Sequence, residues 1–226
     1  MAKILIYNND KNRMESFERD ETDPMPYNKG GSLTVGEFRG SSKSNVLWSD
    51  LTTMETFNQF RQYYGSPIYV GYAFKRIWEG GHGNQSQHYA GTSFDTGQNL
   101  SSNERNRLYN SARSFGKWSY VEPKSLTPTW VHFDKRTNPP ACGSGGYPGL
   151  KNGDRGNYVL ILQDALNALG YGTKYLDGIF GKLTLEAVKR FQNDNGLISD
   201  GIVGCDTWRS LTSKAVRIGR TNTVID

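Results

Sequence analysis

Of the three histidines in this 226-residue chain, two sit where they could hold a metal ion. His88 lies in Ser86-Gln87-His88-Tyr89-Ala90-Gly91, and Asp95 follows seven positions later. His132 lies in Thr129-Trp130-Val131-His132-Phe133-Asp134. Two imidazoles and a carboxylate form a three-ligand set for one zinc ion, with a position left open for water. Zinc lowers the pKa of bound water to about 7, and a neighbouring carboxylate can then accept its proton. The residues therefore point to hydrolysis. His82, in Gly80-Gly81-His82-Gly83, is the spare; it reads as a loop residue, with a substrate contact as its alternative role.

Rigid elements must bring these side chains together. Thr52-Thr53-Met54-Glu55 reads as a capping box opening a helix that presents Met54, Phe57 and Phe60 and stops near Gly65. Ser101-Ser102-Asn103-Glu104 opens another, presenting Leu108, Ala112 and Phe115 before Gly116. Strands are expected over 68–74, 117–122 and 129–134. In the last, alternation puts Trp130, His132 and Asp134 on one face and Val131 and Phe133 on the other. The expected N-terminal domain, residues 1–136, is α+β, with a small antiparallel sheet and flanking helices.

Net charge is +5, the pI about 9.1 and mean hydropathy −0.67. A basic chain suits an anionic partner. Nucleic acid is disfavoured, because the basic residues are dispersed and no nucleic-acid motif is present. The sequence has no apolar run of about 18 residues, so no membrane insertion is expected. Few apolar residues follow Met1, too few for a signal-peptide core, so synthesis in the cytoplasm or expression as a mature form is expected. Cys142 and Cys205 lack metal-binding spacing; two free thiols and one disulfide both remain open.

Pro, Gly and Ser crowd residues 137–149, which reads as a linker. Beyond it, Asp177-Gly178-Ile179-Phe180-Gly181-Lys182-Leu183-Thr184 is echoed by Asp200-Gly201-Ile202-Val203-Gly204-Cys205-Asp206-Thr207. Each copy is a glycine-rich turn entering a helix. With the stripe Val159, Leu162, Leu166 and Leu169, this gives an all-α three-helix bundle over 150–213, followed by a tail, 214–226. The segments Leu150 to Gly156, Leu162-Gln163, Leu169-Gly170-Tyr171, both Asp-Gly-Ile turns and Ala187-Val188-Lys189-Arg190-Phe191-Gln192 resemble the three-helix peptidoglycan-binding domain of many bacterial wall hydrolases. That resemblance implies bacterial peptidoglycan as partner and action at the cell wall or outside the cell.

The N-terminal motifs carry a second resemblance. Ser86-x-His88-x-x-Gly91-x-x-x-Asp95, the strand Trp130 to Asp134, the segment Leu33 to Phe38 and the strand Ile68 to Arg76 resemble the zinc D-alanyl-D-alanine peptidases. It implies His88, Asp95 and His132 as zinc ligands, with Ser86 supporting them. Lys75 or Arg76 would hold a substrate carbonyl or carboxylate. Many members carry a Glu three residues before the last zinc His; here that residue is Thr129. Glu122 is the favoured base and Asp134 the second choice, unless Asp134 orients His132 instead. The expected protein is thus a monomeric zinc peptidase, a carboxypeptidase or endopeptidase of lysin type, tethered to its wall. A wall-binding protein with a degenerate site and a peptidase for free dipeptides are the alternatives. Residues 1–32 match no recognised motif.

Overall fold

A computed structural model describes residues 1–30, 33–137, 139–143 and 146–220. Asn138, Ser144 and Gly145 of the expected linker, and 221–226 of the expected tail, lie outside the described residues.

The N-terminal part contains two sheets. The first has order β2-β1-β3 and joins β1 (Ala2–Asn8), β2 (Arg13–Arg19) and β3 (Val46–Asp50). β1 pairs antiparallel with β2 and parallel with β3. Residues 1–32, which match no recognised motif, hold β1 and β2. In β1, Ile4, Leu5 and Ile6 are buried in succession, a continuous apolar run that hides the two-residue alternation of a half-exposed strand. Val35 and Phe38 enter the core from a short helix, α1 (Val35–Arg39), which Thr34 and Glu37 cap reciprocally, and Leu33 is buried just ahead of it.

The second sheet is antiparallel, with order β4-β5-β7-β6. β4 is Val70–Tyr72, β5 Ser93–Thr96, β6 Tyr120–Val121 and β7 Val131–Asp134. The strands expected over 68–74 and 117–122 are thus shorter than read. β5 lies outside the three expected strands. Helix α2 (Leu51–Tyr64) is capped by Asp50, whose side chain accepts from the Thr53 N–H, and not by Thr52. Thr52 bonds Asn9 instead. Helix α3 (Ser102–Phe115) carries the expected Ser101/Glu104 box and ends at Gly116 in the left-handed conformation. Phe57, Phe60, Phe94, Trp118 and Phe133 build the aromatic centre of this core, with Phe57 on Phe94 and Trp118 on Phe133 at 4.4 Å.

The C-terminal part is helical: α4 (Asn157–Ala168), α5 (Lys182–Asp194) and α6 (Cys205–Ala215). The internal echo has a common clasp. Gln163 donates to Asp177 Oδ1, Ile179 O and Thr184 Oγ1, and accepts from the Gly178 N–H. Gln192 repeats these bonds with Asp200, Ile202, Thr207 and Gly201. Each buried glutamine satisfies the polar groups of a turn that would otherwise be desolvated without partners.

The two parts do not hang on a loose spacer. Tyr147 is fully buried, donating from its N–H to Gln85 Oε1 and from its hydroxyl to Ser86 O. A disulfide joins Cys142 to Cys205 at the start of α6, which closes the question of their pairing. Ile77, Tyr89 and Ala90 of the N-terminal part belong to the same apolar core as Val159, Phe191 and Trp208. Residues after 213 also pack. α6 continues to Ala215, and a 3-10 turn (Ile218–Arg220) lies against another over Ile77–Glu79.

Candidate metal centre

The antiparallel sheet assembles the centre by register. Phe94 and Phe133 point into the core, so alternation sends Asp95, His132 and Asp134 to the opposite face. Asp95 pairs across the strands with His132 on one side and Tyr72 on the other. The row continues to Glu122, whose backbone N–H donates to His132 O at 3.0 Å. Cross-strand partners carry their side chains on the same face within about 5 Å at Cβ, so four chemically active residues share one row.

His88 arrives from a tight loop over residues 86–92. Tyr89 N–H donates to Ser86 O, and Gly91 N–H to His88 O. The loop is pinned from below, where the Trp48 indole donates to Tyr89 O and the Ser49 hydroxyl to Gly91 O. Gly91 has φ +66°, and a Cβ there would meet Trp48 O at 1.9 Å, so this close approach requires glycine. Ser86 supports the loop by accepting the His88 N–H at 3.3 Å.

The three expected ligands converge. One ligand atom from each of His88, Asp95 and His132 lies within 4.8 Å of the others. His88 Nδ1 is 3.0 Å from Ala73 O, so that nitrogen carries the proton and Nε2 faces Asp95 Oδ2 at 3.3 Å. His132 sets Nδ1 2.7 Å from Asp95 Oδ1 and Nε2 3.1 Å from Asp134 Oδ2. Burial disfavours an imidazolium at position 132, but hydrogen bonds to Asp134 and Asp95 outweigh it and raise the pKa to about 9. Burial also opposes ionisation of Asp95, yet hydrogen bonds from His132 and His88 hold its carboxyl well below the usual range.

The remaining candidates separate. Glu122 is half-buried and lines the same cavity, of about 600 Å³, as the three ligands. Asp134 is fully buried and outside the lining; it accepts from Arg136 and His132. This geometry fits the orienting role and not the base, because both its oxygens are engaged. Lys75 is half-buried and off the lining, its backbone N–H donating to His88 O. Arg76 is a correction to the expected substrate contact. Its guanidinium is buried, 2.6 Å from Asp164 on α4, donates to Ser44 Oγ and lies over the Trp48 and Trp78 rings.

His82 is more than a loop residue. It lines the cavity with its ring 4.7 Å from His88 and 4.4 Å from Tyr72, and burial first, with His88 adding to it, lowers its pKa to about 4. Sequence reasoning also missed Tyr72, whose ring meets His88 edge-on at 4.9 Å. The available signal was the alternation of β4. Arg136, Cys142, Gly146 and Arg209 line the cavity too, and only long-range packing brings the last three there.

Comparison with known proteins bears on the C-terminal part. Residues 155–211 match the family described as "Putative peptidoglycan binding domain". A protein of Kitasatospora aureofaciens, described as "Uncharacterized protein in bpoA1 3'region", is 47% identical over 72 residues, covering 30% of this chain and 61% of that protein. The N-acetylmuramoyl-L-alanine amidase CwlM of Mycobacterium tuberculosis is 41% identical over 63 residues, covering 28% and 16% of the two chains. The spore cortex-lytic enzyme of Halalkalibacterium halodurans is 38% identical over 55 residues, covering 24% and 17%. The chain therefore spans under two thirds of the length of each of these relatives. Among the described residues no helix is long and apolar enough to cross a membrane. A helical module similar in sequence to that family thus stands beside a clustered His-Asp-His set.

Proposed function

We propose that the chain is a zinc-dependent peptidase that hydrolyses peptide bonds in bacterial peptidoglycan, with its C-terminal module holding it to the polymer. The carrying observation is the convergence of His88, Asp95 and His132 within 4.8 Å beside a cavity of about 600 Å³. The donor set fits one zinc ion, since two imidazoles and a carboxylate are its usual catalytic ligands. Each histidine has its second nitrogen held, His88 by Ala73 O and His132 by Asp134, as metal-bound imidazoles require. The match over 155–211 supports peptidoglycan as partner, and two relatives named as an amidase and a cortex-lytic enzyme support a wall hydrolase.

Zinc, when bound, would polarise the scissile carbonyl and acidify a water. The chain's own residues do the rest. Asp134, kept ionised by Arg136, holds the His132 ring in place. Glu122 faces the cavity, where its carboxylate can take the proton of the attacking water and return it to the leaving amine. The wall module raises the local concentration of substrate, so modest affinity is sufficient.

The test is the release of amino groups from purified peptidoglycan. Activity is expected to vanish with chelator, return with zinc and be absent in His88→Ala. Release indifferent to all three would end the zinc reading. Thr129, exposed where many relatives of this peptidase type carry Glu, favours a second reading, a wall-binding protein without turnover. Sedimentation with peptidoglycan and zinc binding, but no amine release at any pH, would establish it.

A further inference from the structure

We propose that Arg209, on the peptidoglycan-binding module, is a specificity residue that binds a carboxylate of the peptide in the N-terminal part's cleft. This rests on the peptidase reading but asks a separate question: whether the module shapes the substrate site or merely tethers it.

The cavity lined by His88, Asp95 and His132 is also lined by Cys142, Gly146 and Arg209. Arg209 follows Cys205 by four residues on α6, one helical turn, so both lie on the same face of that helix. Cys205 is bonded to Cys142, itself part of the lining. The disulfide thus fixes the face that carries Arg209 against the cleft.

Charge accounting then singles out this side chain. Arg76, the guanidinium expected from sequence, is consumed by Asp164. Arg136 lines the cavity but is neutralised by Asp134 and covered by the Tyr120 ring at 3.9 Å. Arg209 is exposed and has no carboxylate partner among the described residues. A free, fork-shaped donor at the edge of a site rich in acidic and metal-binding groups matches a planar carboxylate. Two carboxylates of a wall stem peptide qualify: the C-terminal one and the α-carboxylate of a γ-linked glutamate.

The experiment uses the full zinc-loaded chain and three synthetic stem peptides ending in D-alanyl-D-alanine. One has both carboxylates, one a C-terminal amide, and one isoglutamine in place of γ-linked glutamate. Arg209→Gln is expected to raise KM about three- to tenfold for the unmodified peptide with kcat unchanged. It should leave KM unchanged for whichever amidated peptide lacks the bound carboxylate, which identifies the source. Arg209→Lys should recover part of the loss. An equal change in KM for all three peptides, or no change for any, overturns the proposal. Equilibrium binding of the same peptides is measured alongside. If the wild type cleaves none of them, the peptidase reading fails alone; a carboxylate-dependent difference in binding between wild type and Arg209→Gln still supports Arg209, and its absence refutes it.

Discussion

Removing the Arg76–Asp164 pair decides whether Arg76 is structural or chemical. The ions approach to 2.6 Å with side chains only 5% and 2% exposed. Asp164→Leu would strand a guanidinium beside two indole rings, where water cannot restore its lost partner. Breaking a buried pair from one side costs about 3–5 kcal/mol. Arg76→Met removes the charge from the other side, along with the 2.9 Å bond to Ser44, and should cost a similar amount. The double variant replaces the pair by apolar groups of similar bulk and should lie within about 2 kcal/mol of wild type. Near this chain length each kcal/mol moves Tm by roughly 2–4 °C, so each single variant should melt about 6–20 °C lower. Chemical denaturation of all four proteins yields the coupling energy of the cycle, expected to be at least about 4 kcal/mol. Amine release below the transition should persist in Arg76→Met. The reasoning is refuted if Asp164→Leu costs under about 1 kcal/mol, or if Arg76→Met keeps full stability while activity falls a hundredfold.

Three further outcomes follow from the geometry. Asp134→Asn should weaken zinc affinity about 10–100-fold in a competition titration with a chromophoric chelator, because His132 loses the carboxylate that orients it; an unchanged constant would show that Asp134 is dispensable. Reducing Cys142–Cys205, whose partners are 63 residues apart, should lower unfolding free energy by about 4 kcal/mol on the chain-entropy account, and identical denaturation with and without reductant would contradict it. Glu15, held by a hydrogen bond from the Tyr27 hydroxyl above all, has its pKa lowered from 4.5 to about 2. A depressed carboxylate contributes stability that is complete above about pH 4.5 and is lost as pH falls through 2. Glu15→Gln should therefore flatten this part of the acid limb, and superimposable pH–stability curves would rule out the contribution.

Local chemistry made parts of this architecture legible. Ser101, Glu104 and Gly116 delimit α3 because caps and left-handed glycines act within one turn. The alternation of β7 correctly divided Val131 and Phe133 from His132 and Asp134, since a strand's period is fixed by its backbone. The cap of α2 was misread because Thr52 and Asp50 are both good candidates; only the bond to Thr53 distinguishes them. Asp164 lies 88 residues from Arg76, and no local pattern reports a partner at that distance. The hairpin that would carry Glu122 toward His132 was legible, and β6 does pair with β7. The first sheet stayed hidden because Ile4 to Ile6 lacks alternation and its parallel partner β3 lies far along the chain.

Tyr89 and Ala90, the two residues after His88, are anchored in the apolar core shared with the C-terminal helices. In this molecule a cut between residues 137 and 149 would leave Tyr89 and Ala90, on one side of the His88 loop, without their apolar partners. A chimera carrying a foreign module would need replacement packing for Tyr89 and Ala90 before His88 could keep its place beside Asp95 and His132.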